Sequence, residues 1–446
     1  MLSLVFVYSL LAYICLGALA RPHIGVIGYY GFILLQPEWN WRWSIPQGMG
    51  FQKYIAIATL LGFLFAGFGG NRFTSTASKG LTALAAFIAL AILSYQQSIE
   101  QNYTFIYIDA LWKMALMAFI GVRVINTPKR IVGLLWVLML AQGFNAYRIN
   151  ESYFQNGVCF FRVTGYGTGG DNNLYSILTV PIMAVSASLA AYSKPLWQKL
   201  FAAGILALQA HQIMLMESRG CMLGAIPMLA LVVWFMPKTK VNVWGVACST
   251  LLGAALAGPP VVKEFMSSFE SKEGRDSSAE SRFDLWKAGY QITMDHPVLG
   301  VGPWAGQFLV PRYLGMSGNM KGLHNLYFEI GAGCGIPAAI CYFSYFLIAG
   351  WACFRLLWRQ KREPIPDWLG CLCLAVFPGL IGYMVSSMFS AGAMLESSYA
   401  LAAGGLAGTC VWAAEKRRSY GFSPQLAHFS QQRLGIPQVP GKLGRP

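Results

Sequence analysis

Thirteen apolar runs recur along the chain, at 2–20, 23–38, 52–70, 80–97, 104–125, 131–147, 173–192, 198–216, 221–237, 241–262, 324–354, 368–389 and 392–414. A hydrocarbon core of about 30 Å takes about 20 helical residues to cross, and most of these runs reach that length. Inside lipid each backbone amide and carbonyl must be satisfied within its own segment, so such runs predict helices. The pattern predicts an all-α polytopic membrane protein with about 12 to 13 transmembrane helices. The second run is short and lies directly behind Arg21-Pro22, so the first two predict a hairpin or a tilted pair. The first run lacks a basic n-region and another apolar run follows at once, which reads as a retained span and not a cleaved signal.

Basic residues between the runs set the expected orientation. Arg72 and Lys79, Lys129 and Arg130, Lys194 and Lys199, Lys238 and Lys240, Arg355 to Arg362, and Lys416 to Arg418 mark loops expected in the cytoplasm. Alternating crossings then put 38–51, 98–103, 148–172, the Glu217–Gly220 junction and 263–323 on the opposite face. The N-terminus is expected outside and the C-terminus inside. Residues 1–414 read as a single transmembrane domain, with 263–323 inserted as a long loop on that opposite face and 415–446 as a disordered cytoplasmic tail. The loop carries seven acidic and seven basic residues, so it is no polyanion-binding arm. Within it, Phe283, Trp286, Tyr290 and Met294 recur every three to four residues, the spacing of an amphipathic helix on a bilayer surface.

Composition narrows the classes further. With 56% hydrophobic and 11% charged residues, a water-soluble globular enzyme is excluded. The net charge of +15 would point to nucleic acid in a soluble chain; here cytoplasmic loops account for it, and the expected surroundings are membrane lipids, with no nucleic-acid partner. Nine of the ten cysteines fall within or beside apolar runs and read as small core residues; only Cys159 lies in a loop. No C-x-x-C pair or Cys/His cluster has zinc spacing, so neither metal nor cofactor is expected.

Ionisable residues next to apolar runs are the candidates for chemistry. Glu217-Ser218-Arg219-Gly220 separates two runs with almost no loop, so Arg219 either snorkels at the membrane boundary or leans into a cavity. Glu280-Ser281-Arg282 opens the amphipathic segment, and Asp295-His296-Pro297 to Gly302 follows it; the Gly300-x-Gly302 pair reads as a sharp return to the membrane. His324-Asn325-Leu326-Tyr327-Phe328-Glu329 begins a long run. A histidine there fits a helix cap, and also a group that takes a proton from an attacking hydroxyl. Arg162-Val163-Thr164-Gly165 and Asp171-Asn172-Asn173 fit a polar loop with an N-cap. Yet Arg162, Arg219, Arg282 and His324 all fall on one face by an orientation obtained without them. Several guanidinium groups beside one imidazole suit a diphosphate leaving group and an incoming hydroxyl, with arginine supplying the charge. Apolar spans around such a site imply a lipid-linked substrate.

At these positions the sequence resembles the O-antigen ligase and polymerase superfamily of bacterial envelope glycosyltransferases. The Ser218-Arg219-Gly220 junction, Glu280-Ser281-Arg282 to Trp286, Asp295 to Gly302 and the His324-Asn325 to Glu329 helix start occur in the family's order, over roughly 130–345. Arg162-x-Thr164-Gly165 to Asp171-x-Asn173 is similar to its upstream loop. The stretch from Arg21-Pro22 to Gln36-Pro37 resembles the O-glycosylation ligase branch associated with exosortase systems.

The resemblance implies a GT-C-like inner-membrane enzyme that is metal-independent and inverting. Its reaction is expected to move a glycan from undecaprenyl diphosphate to an acceptor hydroxyl on a glycan, lipid or protein. His324 matches the family's base, and Arg219 and Arg282 its diphosphate-contacting arginines, with Arg162 a further candidate. Glu217, Ser218, Glu280, Asn325, Tyr327 and Glu329 are expected to support them. The chain departs from the pattern in Gly331-Ala332-Gly333-Cys334-Gly335, where a second acidic residue is missing, which bears on acceptor choice. Two rivals remain: a polymerase of lipid-linked repeat units in the same superfamily, and a transporter of a lipid-linked sugar. Breaks such as Gly258-Pro259-Pro260 and Pro378-Gly379 are present, but no matching halves accompany them.

Overall fold

A computed structural model describes residues 2–46, 48–167, 171–256, 277–318 and 320–421. Every one of the thirteen apolar runs contains a helix, and among the described residues there is no β-strand. In chain order the helices are α1 (Leu2–Ala20), α2 (Pro22–Leu35), α3 (Pro37–Asn40), α4 (Phe51–Phe65), α5 (Ser75–Gln96) and α6 (Gln101–Val124). Next come α7 (Pro128–Asn156), α8 (Phe161–Thr164), α9 (Asn172–Tyr192), α10 (Leu196–Leu215), α11 (Arg219–Phe235) and α12 (Lys240–Leu256). The last five are α13 (Ser277–Asp295), α14 (Val310–Leu314), α15 (Leu326–Gln360), α16 (Asp367–Ser386) and α17 (Glu396–Gly421). Six of them, α5, α6, α7, α9, α15 and α16, are long and apolar enough to cross a membrane. The chain is an all-α multi-pass membrane protein. The end of the tenth run, the first part of the 263–323 segment and the tail from 422 onward lie outside the described residues.

Local chemistry sets the helix ends. Thr127 caps α7 through Arg130 N–H, Pro128 takes the first helical position where no amide is needed, and Gly157 closes the helix in the left-handed region at φ 70°. Asp171 caps α9 and Asn325 caps α15 in the same way. The apolar sequence of α9 is buried on nearly every side, and α16 packs along it, with α11 and α15 against α16 and α5 against α15. A helix apolar all round belongs in the middle of a bundle.

The connections gather at two ends. At one, Asn71 donates to the carbonyls of Val122 and Ile125, Lys194 pairs with Asp367 at 3.4 Å, and Lys199 reaches Asn242. At the other, the segments 36–41, 157–167, 216–218, 297–325 and 387–395 come together.

Helix α15 is broken at Gly335 (φ 84°, ψ 169°), two residues before Pro337. Pro337 has no amide to give the Gly333 carbonyl. That carbonyl accepts instead from Ser94 Oγ at 2.8 Å and Gly302 N at 2.9 Å, while Val301 N takes the Ala332 carbonyl and Ile336 N donates to Pro297. The Asp295–Gly302 turn is thus inserted against the break, as the sharp return read from the sequence requires. A Cβ on Gly300 would lie 2.3 Å from the Gly333 oxygen, and one on Gly335 2.3 Å from the Val298 oxygen, so this contact excludes side chains at both positions.

Most of the Phe283-Trp286-Tyr290-Met294 stripe of α13 does not hold it to the protein; of the four, Trp286 is the one that is not exposed. Leu285, Ala288 and Ile292 are buried, and α13 packs on α15, while Phe283, Tyr290 and Met294 are exposed. The ten cysteines are free; six are buried, but Cys248 on α12 is exposed, a departure from the core role read from its apolar run.

Candidate functional site

Three helix starts and two helix ends meet at the second end of the bundle. At the first start, Asp171 Oδ1 accepts from Asn173 N at 2.7 Å, while Asn172 Nδ2 donates to the Met216 carbonyl at 2.8 Å, tying α9 to the end of α10. The α10–α11 junction turns on Glu217, which holds φ at 50° although it is not glycine. A left-handed side-chain residue costs about 1–2 kcal/mol, so the surrounding contacts must hold it there. Ser218, almost fully buried, spends its hydroxyl on Asn173 Oδ1 at 2.9 Å, so the first turn of α11 has no side-chain cap. Arg219 is the first residue of that helix and is half-buried. Gly220 is required by contact: a Cβ there would meet Phe389 Cβ at 2.5 Å.

The third start is α15. Asn325 Oδ1 accepts from Tyr327 N and Phe328 N, and its Nδ2 donates to the Met388 carbonyl at 2.9 Å, with Leu326 N on the Ser387 carbonyl. His324 sits directly before this cap, half-buried, with φ at 48°. The strip 387–389 after α16 therefore touches two of the starts, and Phe389 also packs on Trp286 of α13 with ring centroids 5.9 Å apart. Through that contact the segment bearing Arg282 reaches the site.

The electrostatics agree with this assembly. Burial pushes the His324 imidazole below its ordinary value, the Arg282 guanidinium adds in the same direction, Asp171 opposes it and Lys321 lowers it further. The shift favours the neutral imidazole, which has a nitrogen lone pair able to accept a proton. An uncapped helix start, a guanidinium and a nearby lysine also make a setting suited to an anion. Among the described residues no three of His, Cys, Asp and Glu gather as a metal-binding set.

The sequence-selected residues are not all in this group. Arg162, on α8, pairs with Glu217 at 2.6 Å and so joins the junction from its exposed side. Glu280 lies in the first helical turn of α13, but its side chain is outside the described residues. Tyr327 turns its hydroxyl to the Met384 carbonyl at 3.2 Å and stacks on Phe343, so it packs α15 against α16. Glu329 is buried one turn into α15 with its carboxyl toward the Trp304 indole and the Ala393 amide, and its Oε2 has no hydrogen-bond partner among the described residues. His296 is exposed at the end of α13. The strip Ser387-Met388-Phe389 and the charge on Asp171 were not singled out as site features. The strip lies inside an apolar run, where only its neighbouring serines differ from a core pattern.

The O-Antigen ligase family model matches residues 204–343, from α10 through Arg219, Arg282 and His324 into α15, and stops short of Arg162 and Asp171 on the N-terminal side. No curated protein matches the chain. Over the segment that carries the α11 start and His324, this multi-pass membrane protein is thus similar to the O-antigen ligase family, in line with the resemblance to the O-antigen ligase and polymerase superfamily.

Proposed function

We propose that the protein is a glycan ligase of the bacterial inner membrane, taking an oligo- or polysaccharide from undecaprenyl diphosphate and placing it on an acceptor hydroxyl at the periplasmic face. Arg219 and Arg282 hold the diphosphate, the α11 start adds its dipole, and Arg162 borders the donor path. The acceptor oxygen attacks the anomeric carbon from the side opposite the diphosphate. Its proton passes to His324, the bond to the diphosphate breaks, and lipid diphosphate leaves with inversion at the sugar carbon. Charge on the leaving group is carried by guanidinium groups, so the step needs no metal.

The observation that carries this reading is a single one: a half-buried histidine whose imidazole is pushed toward the neutral form by burial and by the charge of Arg282, at the same end of the bundle as the uncapped α11 start and Arg219. A transporter would need the arginines but has no use for a neutral base held in a left-handed turn. The placement of this end of the bundle at the periplasm rests on the basic loops at the other end.

The test uses purified protein, an undecaprenyl-diphosphate glycan and candidate glycan, lipid and protein acceptors in EDTA, with mass spectrometry of lipid diphosphate and product size. One discrete glycosylated product with lipid diphosphate released is the expected result. A ladder of repeat units would make the protein a polymerase. Intact donor with every acceptor, despite measurable binding, would contradict transfer.

A further inference from the structure

A cavity of ≈ 160 Å³ opens between α3 with Arg42 after it, the end of α7 and the Phe161–Tyr166 segment. It lies beyond the membrane by a length argument. Helix α7 has 29 residues and so is about 44 Å long, against a hydrocarbon core of about 30 Å. Measured from Pro128 at the basic end, about its last two and a half turns, from Arg148 onward and including Ser152, project past the core.

The lining has two kinds of surface. Trp39, Phe161 and Tyr166 form aromatic walls, with Tyr166 5.9 Å from Trp39 and 5.0 Å from Phe161 between ring centroids. The rim is polar: Arg42 donates to the Trp39 carbonyl at 2.9 Å and lies over the Trp39 ring, and Arg148 pairs with Glu151 across one helical turn. Tyr166 is fixed by donating to Asn40 Oδ1 at 2.6 Å. The Trp39 indole N–H is buried with no partner among the described residues. A pyranose ring has an apolar C–H face and a rim of hydroxyls, and flat aromatic walls with a polar edge complement both.

Resting on the transfer reading above, we propose that this cavity is a subsite for a sugar of the donor glycan, one or more residues away from the diphosphate. Phe161 lines the cavity and the next residue, Arg162, pairs with Glu217, two residues before Arg219. On this proposal the glycan leaving the anion site runs past Arg162 toward the cavity. The subsite selects for glycan length and for the sugar that follows the first.

The experiment separates binding from turnover. Glycan released from the lipid donor by mild acid is titrated into full-length protein in nanodiscs, followed by saturation-transfer NMR, with wild type, Trp39→Ala and Ser152→Trp compared. Ser152 lies on the half-exposed wall and its hydroxyl makes no hydrogen bond among the described residues, so the tryptophan plugs the cavity without opening the core. Wild type is expected to bind the free glycan, and each variant to weaken it at least tenfold. Equal binding by Ser152→Trp, or no binding of the free glycan by wild type, would overturn the subsite. Because no bond is broken in this assay, a protein that binds free glycan but transfers nothing would retain the subsite while removing the ligase reading.

Discussion

Two groups of polar residues lie within this apolar chain, and they are built on opposite plans. In the middle of the bundle, Gln142 of α7, Thr179 and Ser186 of α9, and Gln209 and Gln212 of α10 are all fully buried. Gln142 Nε2 donates to Thr179 at 2.9 Å and to Gln212 at 3.0 Å, Gln209 donates back to Gln142, and Ser186 donates to Gln209 at 2.8 Å. The network is uncharged and closes on itself. At the second end, by contrast, the groups are charged or titratable, half-exposed, and hung on two turns with left-handed backbone at Glu217 and His324. A closed network serves the fold, since its donors and acceptors are consumed. The second group keeps charge at helix starts and stores strain, which is what a reactive site requires. Polar character inside a membrane protein therefore does not mark function by itself; under the proposed reading it is the unclosed, charged and strained arrangement that does.

Substitutions should divide along the same line, beginning with the largest effect. Replacing His324 by alanine removes the base and should lower transfer by about 10²–10⁴-fold with normal insertion, measured as lipid diphosphate released per minute. Arg219→Gln and Arg282→Gln remove charge from the leaving-group side and should each cost about 10²–10³-fold, as loss of one transition-state donor does elsewhere. Full activity in either arginine variant would detach the anion site from the chemistry.

In the closed network the readout reverses. Gln142→Leu leaves Gln209 Nε2 and Gln212 Oε1 without their partner, while Thr179 keeps Gln212 and the Tyr175 carbonyl, and should cost about 1–3 kcal/mol of stability, seen in thermal unfolding, while the folded fraction keeps its turnover rate. The pH profile sharpens the open site. Transfer needs neutral His324, so the rate falls as pH drops through its pKa. Asp171 opposes the lowering, and asparagine is as good an N-cap, so Asp171→Asn should move the acid limb to lower pH without disturbing α9. Lys321→Gln should move it to higher pH. The smallest effect is expected from Arg162→Ala, which breaks an exposed pair worth less than about 1 kcal/mol and should change stability little.

Much of the fold was legible from pattern, because a membrane span constrains length and polarity together. The run at 324–354 and the helix Leu326–Gln360 differ only in extent. Its break at Gly335 was not legible: it depends on Ser94, Val301 and Gly302 arriving from elsewhere to take the freed carbonyls. The same holds for the site. Arg219, Arg282 and His324 were readable as ionisable groups beside apolar runs. Tyr327 faces α16 and Glu329 faces Trp304 and Ala393 in the connecting segments, because helical rotation and packing decide direction. Phe389 was hidden in an apolar run, and its contacts with Gly220 and Trp286 exist only in three dimensions. A left-handed φ at His324 likewise leaves no trace in residue type.

That φ supplies the most direct test of the account, which holds that His324 is kept in its turn for chemistry and not for the fold. His324→Gly should relieve about 1–2 kcal/mol of backbone strain. The measurement is thermal unfolding and single-turnover release of lipid diphosphate on the same purified sample. Stability equal to or above wild type with transfer lost is predicted; transfer at the wild-type rate in a stably folded His324→Gly protein would contradict the histidine mechanism.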